Sequence, residues 1–308
     1  MKFFIGIIFL TSALAGHFDF ICENSLRYEN GNAKSDKIEF FEGTQNTYAL
    51  GKRYQVGNFL DITNKNHDLL HTVQTDFLPL DLKENAEKIY ILFANEIQVR
   101  DVYTFNLLKS FKTTLNPIQN KNEAAFEISI ADDVIYVAHG TNHLMILNKE
   151  TGKIIKSKKF DIQKKSNHRS TLTGLEIYKD KIYMMFDNIT YDFGDKTRAF
   201  EGMVIADMNT LEIEKTIWLN QKREALHEPA LERDGDVLYS QNLNILFNYN
   251  LDKIDRLRTL NPNRRLYNFD NRFLVSKPLV KNKTITGCFR EGYSRGDEPK
   301  AIFSSYKY

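Results

Sequence analysis

The sequence predicts an all-β protein, a single propeller of four-stranded antiparallel blades. Three observations predict it. An apolar residue followed by tyrosine recurs at Tyr90, Tyr136, Tyr183 and Tyr239, with spacings of 46, 47 and 56 residues. Around each tyrosine the chain parses into four short segments rich in β-branched and aromatic residues, separated by turn residues and lacking long helical periodicity. A four-strand unit of roughly 40–50 residues has the length of a propeller blade. One such sheet cannot cover both its faces alone, whereas blades stacked around an axis cover each other.

Residues 1–15, MKFFIGIIFLTSALA, combine a positive Lys2, an apolar stretch from Phe3 to Leu10 and the small-x-small triplet Ala13-Leu14-Ala15. This is the pattern of a cleaved export signal, with a mature start at Gly16. No later apolar run approaches the roughly 20 residues a membrane helix needs. Residues 16–308 are read as one propeller domain, soluble and periplasmic or secreted. Ile21 stands where a lipid-anchor motif at Cys22 would need a small residue.

The polar segment Tyr28–Lys37, YENGNAKSDK, reads as a loop. Lys37 to about Asp76 holds a first, irregular blade. The regular copies follow. NAEKIYILFANEIQVRDVYTFNLLKSF carries Tyr90, and ADDVIYVAHGTNHLMILNKETGKIIKSKKF carries Tyr136. The copy with Tyr183 has an insertion at roughly 187–200, which accounts for the long last interval. RDGDVLYSQNLNILFNYNLDKIDRLRTL carries Tyr239. LYNFDNRFLVSKPLVKNKTITGCFREG reads as a shorter last blade, with AIFSSYKY as a terminal strand. The copies count to six, so the expectation is six or seven blades, with five as the lower bound.

The 134–160 stretch, VIYVAHGTNHLMILNKETGKIIKSKKF, resembles the YVTN-type repeat of quinoprotein-like propellers. In that repeat a Tyr-Val strand, a small-residue turn, an apolar strand ending near Asp and a Thr-Gly turn recur. Here Asn148 stands in place of the Asp, and Glu150-Thr151-Gly152 keeps the turn. The resemblance is good for one blade and looser for three others. It implies architecture and little about activity. Quinoprotein propellers also carry tryptophan-rich docking motifs, and this chain has one tryptophan, Trp218. No cofactor is expected.

The chain has 42 basic and 40 acidic residues, a net charge of +2, which gives no electrostatic claim on nucleic acid. The basic clusters KSKKF and NPNRR read as solvated loops. Cys22 and Cys288 sit near the two ends of the mature chain, in a compartment that permits disulfides. Two readings stand: buried free thiols, or a bridge that ring closure makes natural, worth on the order of 4–5 kcal/mol in the ideal chain-entropy picture.

A propeller binds at the mouth of its channel, on loops entering the inner strands. That places Glu123, Arg169, Thr173, Glu176, His227 and Glu228 as ligand candidates, against the plainer reading of polar loop residues. Arg198, within the insertion, and Glu201, just past it, join them as the ligand contacts of this decoration. His227 and Glu228 are adjacent, so on a strand they face opposite sides and make a poor base and orienter. His67/His71 and His139/His143 are spaced by four, but no third ligand or HExxH or CxxC pattern supports a metal. The insertion gathers Asp187, Asn188, Asp192 and Asp195 without calcium-loop spacing. Asn188-Ile189-Thr190 and Asn282-Lys283-Thr284 match the glycosylation pattern. The four tyrosines and Trp218 read as packing residues.

No catalytic signature is present. The expectation is an exported binding module for a protein, peptide or glycan, with no catalytic residues and no metal. The alternative is a channel-site hydrolase or cyclase of lactonase or glutaminyl-cyclase type, in which Glu176 would be the acid.

Overall fold

The structure is a computed structural model that describes residues 17–23, 26–29, 32–35, 37–53, 57–113, 125–140, 142–162, 169–190, 198–221, 231–240, 245–256, 276–277, 279–291 and 300–307. The expected export signal lies outside these residues. α1 (His17–Glu23) precedes β1 (Leu26–Glu29) and β2 (Asn32–Ser35). The first blade is β3 (Lys37–Glu42), β4 (Thr47–Arg53), β5 (Gly57–Thr63) and β6 (Leu69–Thr75). The second is β7 (Asp81–Asn85), β8 (Lys88–Leu92), β9 (Glu96–Asp101) and β10 (Leu107–Lys112). The third is β11 (Ala125–Ala131), β12 (Val134–His139), β13 (His143–Asn148) and β14 (Ile154–Lys159). The fourth is β15 (Arg169–Tyr178), β16 (Lys181–Thr190), β17 (Arg198–Asp207) and β18 (Ile213–Gln221). The fifth is β19 (Leu231–Asp234), β20 (Val237–Ser240), β21 (Ile245–Asn248) and β22 (Lys253–Arg256). β23 (Ser276–Lys277), β24 (Leu279–Lys281), β25 (Thr284–Glu291) and β26 (Lys300–Lys307) complete the set.

The fold is all-β, of propeller type, with four-stranded antiparallel blades paired in sequence order. Five blades are present among the described residues, not six or seven. The expected last blade divides instead: β23 joins the first blade parallel to β3, and β24, β25 and β26 form a three-stranded sheet. Pro278, with no N–H to donate, stands in the sequence between the two pieces.

Local chemistry explains why the blades repeat. In the four regular copies the residue four before the tyrosine has positive φ: Ala86 (55°), Asp132 (48°), Lys179 (53°) and Gly235 (57°). That residue tightens the hairpin from first to second strand. Each third strand then ends in Asn or Asp, whose side chain caps the next turn. Asp101 accepts from the amides of Tyr103 and Thr104, Asn148 from Glu150 and Thr151, and Asp207 from Asn209 and Thr210. Asn64 and Asn248 cap a variant of the turn, and their amides donate to Asp68 and Asp252. This is Asx-turn chemistry, favoured by these side chains for their reach. The outermost strand then opens with a bulge at one register in all five blades: Leu69/His71, Leu107/Lys109, Ile154/Lys156, Ile213/Lys215 and Lys253/Asp255 flank the extra residue.

The described chain divides into two compact units, 1–79 with 259–308, and 80–258. In the first unit, α1 places Phe18, Ile21 and Cys22 on one buried face, at helical spacing. Phe18 packs at a tilt against Phe40 (4.7 Å) and meets Phe303 edge-on (5.2 Å). A seven-residue helix is marginal alone, so this packing and the Cys22–Cys288 disulfide hold it. The bridge, with Cα atoms 5.3 Å apart, resolves the open choice at the two cysteines. Tyr48, fully buried in β4, is a fifth marker tyrosine.

In the 80–258 unit the marker tyrosines pack against the next blade, as read. Tyr90 shares a core with Ile128, Ile135 and Val137, Tyr136 with Leu175 and Ile182, and Tyr183 with Leu231, Leu238 and Phe247. Burial raises their hydroxyl pKa values, that of Tyr90 to about 12, so they stay neutral. Lysines on the outermost strands tie blade to blade. Lys109 donates to the Glu150 carbonyl (2.9 Å), Lys156 to that of Asn209 (3.0 Å) and Lys215 to that of Asn250, each two residues past a turn-capping Asx.

Three sequence expectations are corrected. Residues 28–37 are not a loop: β1 and β2 pair as a hairpin. KSKKF is not a solvated loop: Lys156, Lys158 and Lys159 lie on β14, and Lys158 also reaches the Leu211 carbonyl (2.7 Å). The 187–200 insertion begins and ends as strand, since Asp187–Thr190 and Arg198–Phe200 extend the fourth blade. Trp218, on β18, lies over Gly202, where any Cβ would come within 2.8 Å of the ring.

Candidate functional site

The inner strands of the 80–258 unit carry a polar row set by register. Each marker tyrosine has a cross-strand partner seven residues earlier: Lys83 for Tyr90, Ser129 for Tyr136, Glu176 for Tyr183 and Glu232 for Tyr239. These residues therefore occupy one level on β7, β11, β15 and β19. The ammonium of Lys83 lies 3.7 Å from a carboxylate oxygen of Glu176. That pair joins strands of the second and fourth blades, with buried Ser129 on the strand between them.

Two buried carboxylates build the support. Asp81 accepts the amide of Ile128 (2.7 Å), and Glu127 accepts the amide of Leu175 (2.6 Å). Both stand two residues before the polar row, and each takes an N–H from the next inner strand. Such charge-assisted bonds satisfy edge amides that have no ladder partner and fix the spacing of the strands. In the fourth blade the equivalent position is Gly174. A Cβ there would come within 2.8 Å of the Met185 side chain and 3.2 Å of Leu231. The glycine lets β15 and β19 approach closely beside the Glu127 carboxylate.

Of the residues expected at the site, Thr173 and Glu176 lie on β15. Thr173 is the extra residue of a bulge, and its hydroxyl bonds the Met185 carbonyl (3.3 Å), a structural role within its own blade. Arg169 begins β15 and pairs with Ile189. Arg198 begins β17 opposite Thr190, and Glu201 pairs with Asp187. The register thus gathers Arg169, Arg198 and Glu201 at one end of the fourth blade, away from the level of Glu176. Glu123, His227 and Glu228 lie outside the described residues, as do Asp192 and Asp195.

His139 and His143 are direct register partners across their hairpin. His67 sits in a turn against Phe18 (4.6 Å), and His71 is on β6. Among the described residues no three His, Cys, Asp or Glu side chains group as metal ligands. The sequence reading missed Lys83, Glu232, Asp81 and Glu127. The signal for them was available: count back seven and nine residues from each tyrosine.

No family model and no curated protein matches the chain. Solved structures do. BamB from Moraxella catarrhalis is similar over 84% of this chain and 83% of its own, at 10% identity and a TM-score of 0.47. The Pan2 WD40 domain of Neurospora crassa is similar over 70% and 65%, at 13% identity and a TM-score of 0.45. A quinohemoprotein alcohol dehydrogenase from Comamonas testosteroni is similar over 46% of this chain and 21% of its own, at 17% identity and a TM-score of 0.35. The fold assignment rests on the strand topology. No described helix is long and apolar enough to cross a membrane.

Proposed function

We propose that this chain is an exported binding module that holds a protein, peptide or glycan partner. The inner-strand row of the 80–258 unit and the loops beside it form the binding surface. The observation that carries the reading is the Lys83–Glu176 pair, opposite charges 3.7 Å apart on the inner strands of two non-consecutive blades. A partly buried pair of this kind costs desolvation and contributes little net stability. Its chemistry suits a ligand that presents both a donor and an acceptor, such as a peptide backbone or a sugar hydroxyl. The disulfide supports export, because such bridges persist in oxidising compartments.

Peptide and glycan arrays probed with the purified protein test the binding claim. Saturable binding that is lost in Lys83→Met and Glu176→Gln, with the melting temperature kept, is the expected result. Turnover of lactones, phosphoesters or glycosides well above background, abolished by Glu176→Gln, would replace this reading with the enzymatic one. Export is tested by the mass of the mature protein, which should begin at Gly16 with Cys22 and Cys288 bridged.

A further inference from the structure

The outer edge of the blades carries a second surface, remote in sequence register from the inner row. Among the described residues, seven of the eleven exposed large hydrophobics occupy the first two positions of an outermost strand. They are Leu69 and Leu70 on β6, Leu107 and Leu108 on β10, Ile154 and Ile155 on β14, and Ile213 on β18, each 42–58% exposed. The bulge explains their orientation. Leu70, Leu108 and Ile155 are the extra residues, unpaired in the ladder and turned outward. Scattered exposed aliphatics need no account, but the same exposure at one register in four blades does.

β14 shows what such an edge would accept. It is the last strand in its sheet, so its outer side has no ladder partner among the described residues. Beyond the bulge, Lys156–Lys159 pair regularly with β13, so their outward backbone groups form a straight edge. The strand reads IIKSKK, with no acid, and Lys153 precedes it. Lys156 and Lys158 reach carbonyls of the next blade (3.0 and 2.7 Å), leaving their charge in place. The nearby carboxylates are Glu212 beside Lys158 (2.9 Å) and Asp161 beside Lys159 (3.9 Å). Edge lysines oppose pairing with a like strand, and two β14 strands together would crowd six of them. An acidic strand meets no such penalty.

We infer that β14 is a strand-addition site for an extended, acidic segment of a partner protein. The segment pairs with the Lys156–Lys159 edge and seats a large apolar residue on Ile154 and Ile155. Main-chain bonds supply affinity, and the lysines and the isoleucine pair supply selectivity. The surface is independent of the inner-strand row, so either can fail without the other.

The test uses the intact mature protein and two labelled peptides. One alternates glutamate with valine and ends in two leucines; the other has lysine for each glutamate. Fluorescence anisotropy should show at least tenfold tighter binding of the acidic peptide. Ile155→Ser should weaken it at least fivefold, and Lys159→Glu should shrink the preference between peptides. Both substitutions are on the surface, and an unchanged melting temperature and circular dichroism spectrum verify the fold. Equal binding of the two peptides, or acidic binding indifferent to Ile155→Ser, overturns the inference. So does Ile155-dependent binding to phosphatidylglycerol vesicles without peptide binding, or self-association in sedimentation that Ile155→Ser abolishes.

Discussion

Tyr183 and Tyr90 occupy equivalent positions but meet different fates. The Tyr183 hydroxyl donates to the Tyr249 carbonyl (2.8 Å), the residue after a turn-capping Asn. The equivalent carbonyl for Tyr90 belongs to Lys149, and it accepts from Lys109 (3.3 Å). The Tyr90 hydroxyl is left buried without a hydrogen-bond partner among the described residues. A made hydrogen bond is worth about 1 kcal/mol, whereas a buried polar group left unmade is a cost. Tyr183→Phe should therefore destabilise by about 1 kcal/mol, and Tyr90→Phe should be neutral or stabilising, as read by denaturant unfolding. Gly152 offers a sharper case. It has φ of 66°, and a Cβ there would lie 2.2 Å from the Phe111 ring of the preceding blade. Gly152→Ala combines backbone strain with overpacking, and a loss of roughly 2–4 kcal/mol is expected in the same measurement.

The turns after the third strands are natural controls for one another. Asp101 and Asp207 cap with carboxylates, while Asn64, Asn148 and Asn248 cap with amides. The backbone amide of Thr104 above all, with its hydroxyl, holds the Asp101 carboxyl below its usual pKa, and the amide of Thr210 does the same for Asp207. A depressed folded-state pKa adds stability above the unfolded value, ~3.9 for Asp, and that stability is lost as pH falls through the folded value. Below about pH 4, Asp101→Asn and Asp207→Asn should flatten the decline of melting temperature with acid, while Asn148→Asp should steepen it. The same elements show what the sequence made legible. The four regular blades were readable because every copy must fill one inter-blade slot with a tyrosine and close one tight hairpin. The first blade was readable only as an irregular copy, because the four residues Gly43–Asn46 replace the two-residue hairpin turn of the others, although Tyr48 keeps its partner Phe41 seven residues earlier. The β1–β2 hairpin was masked by its polarity, although Asn30-Gly31, the favoured dipeptide of two-residue loops, stands between the strands. Glu176 was found from its place on an inner strand. Lys83 was legible in the same way, seven residues before Tyr90 as Glu176 is before Tyr183, but its pairing with Glu176 was not, because only the three-dimensional row brings strands two blades apart to one level.

At the scale of the molecule, the disulfide decides where stability is concentrated. Cys22 and Cys288 are 266 residues apart in sequence, yet both belong to the unit formed by 1–79 and 259–308. Their bridge fastens α1 against β25, in the core with Phe18, Ile38, Phe40 and Leu279. In the chain-entropy picture, closing so long a loop removes on the order of 5 kcal/mol of unfolded-state freedom. The 80–258 unit has no such bridge and relies on repeated means: buried tyrosines, the Asp81 and Glu127 carboxylates, and lysines reaching the next turn. Loss of the bridge should act on the bridged unit first. Cys22→Ser with Cys288→Ser should accelerate amide exchange in α1, β3 and β24–β26 well before β8, β12 and β16. A uniform rise across both units would show instead that the chain opens as one cooperative body, and that the local packing of the 80–258 unit is insufficient without the covalent closure.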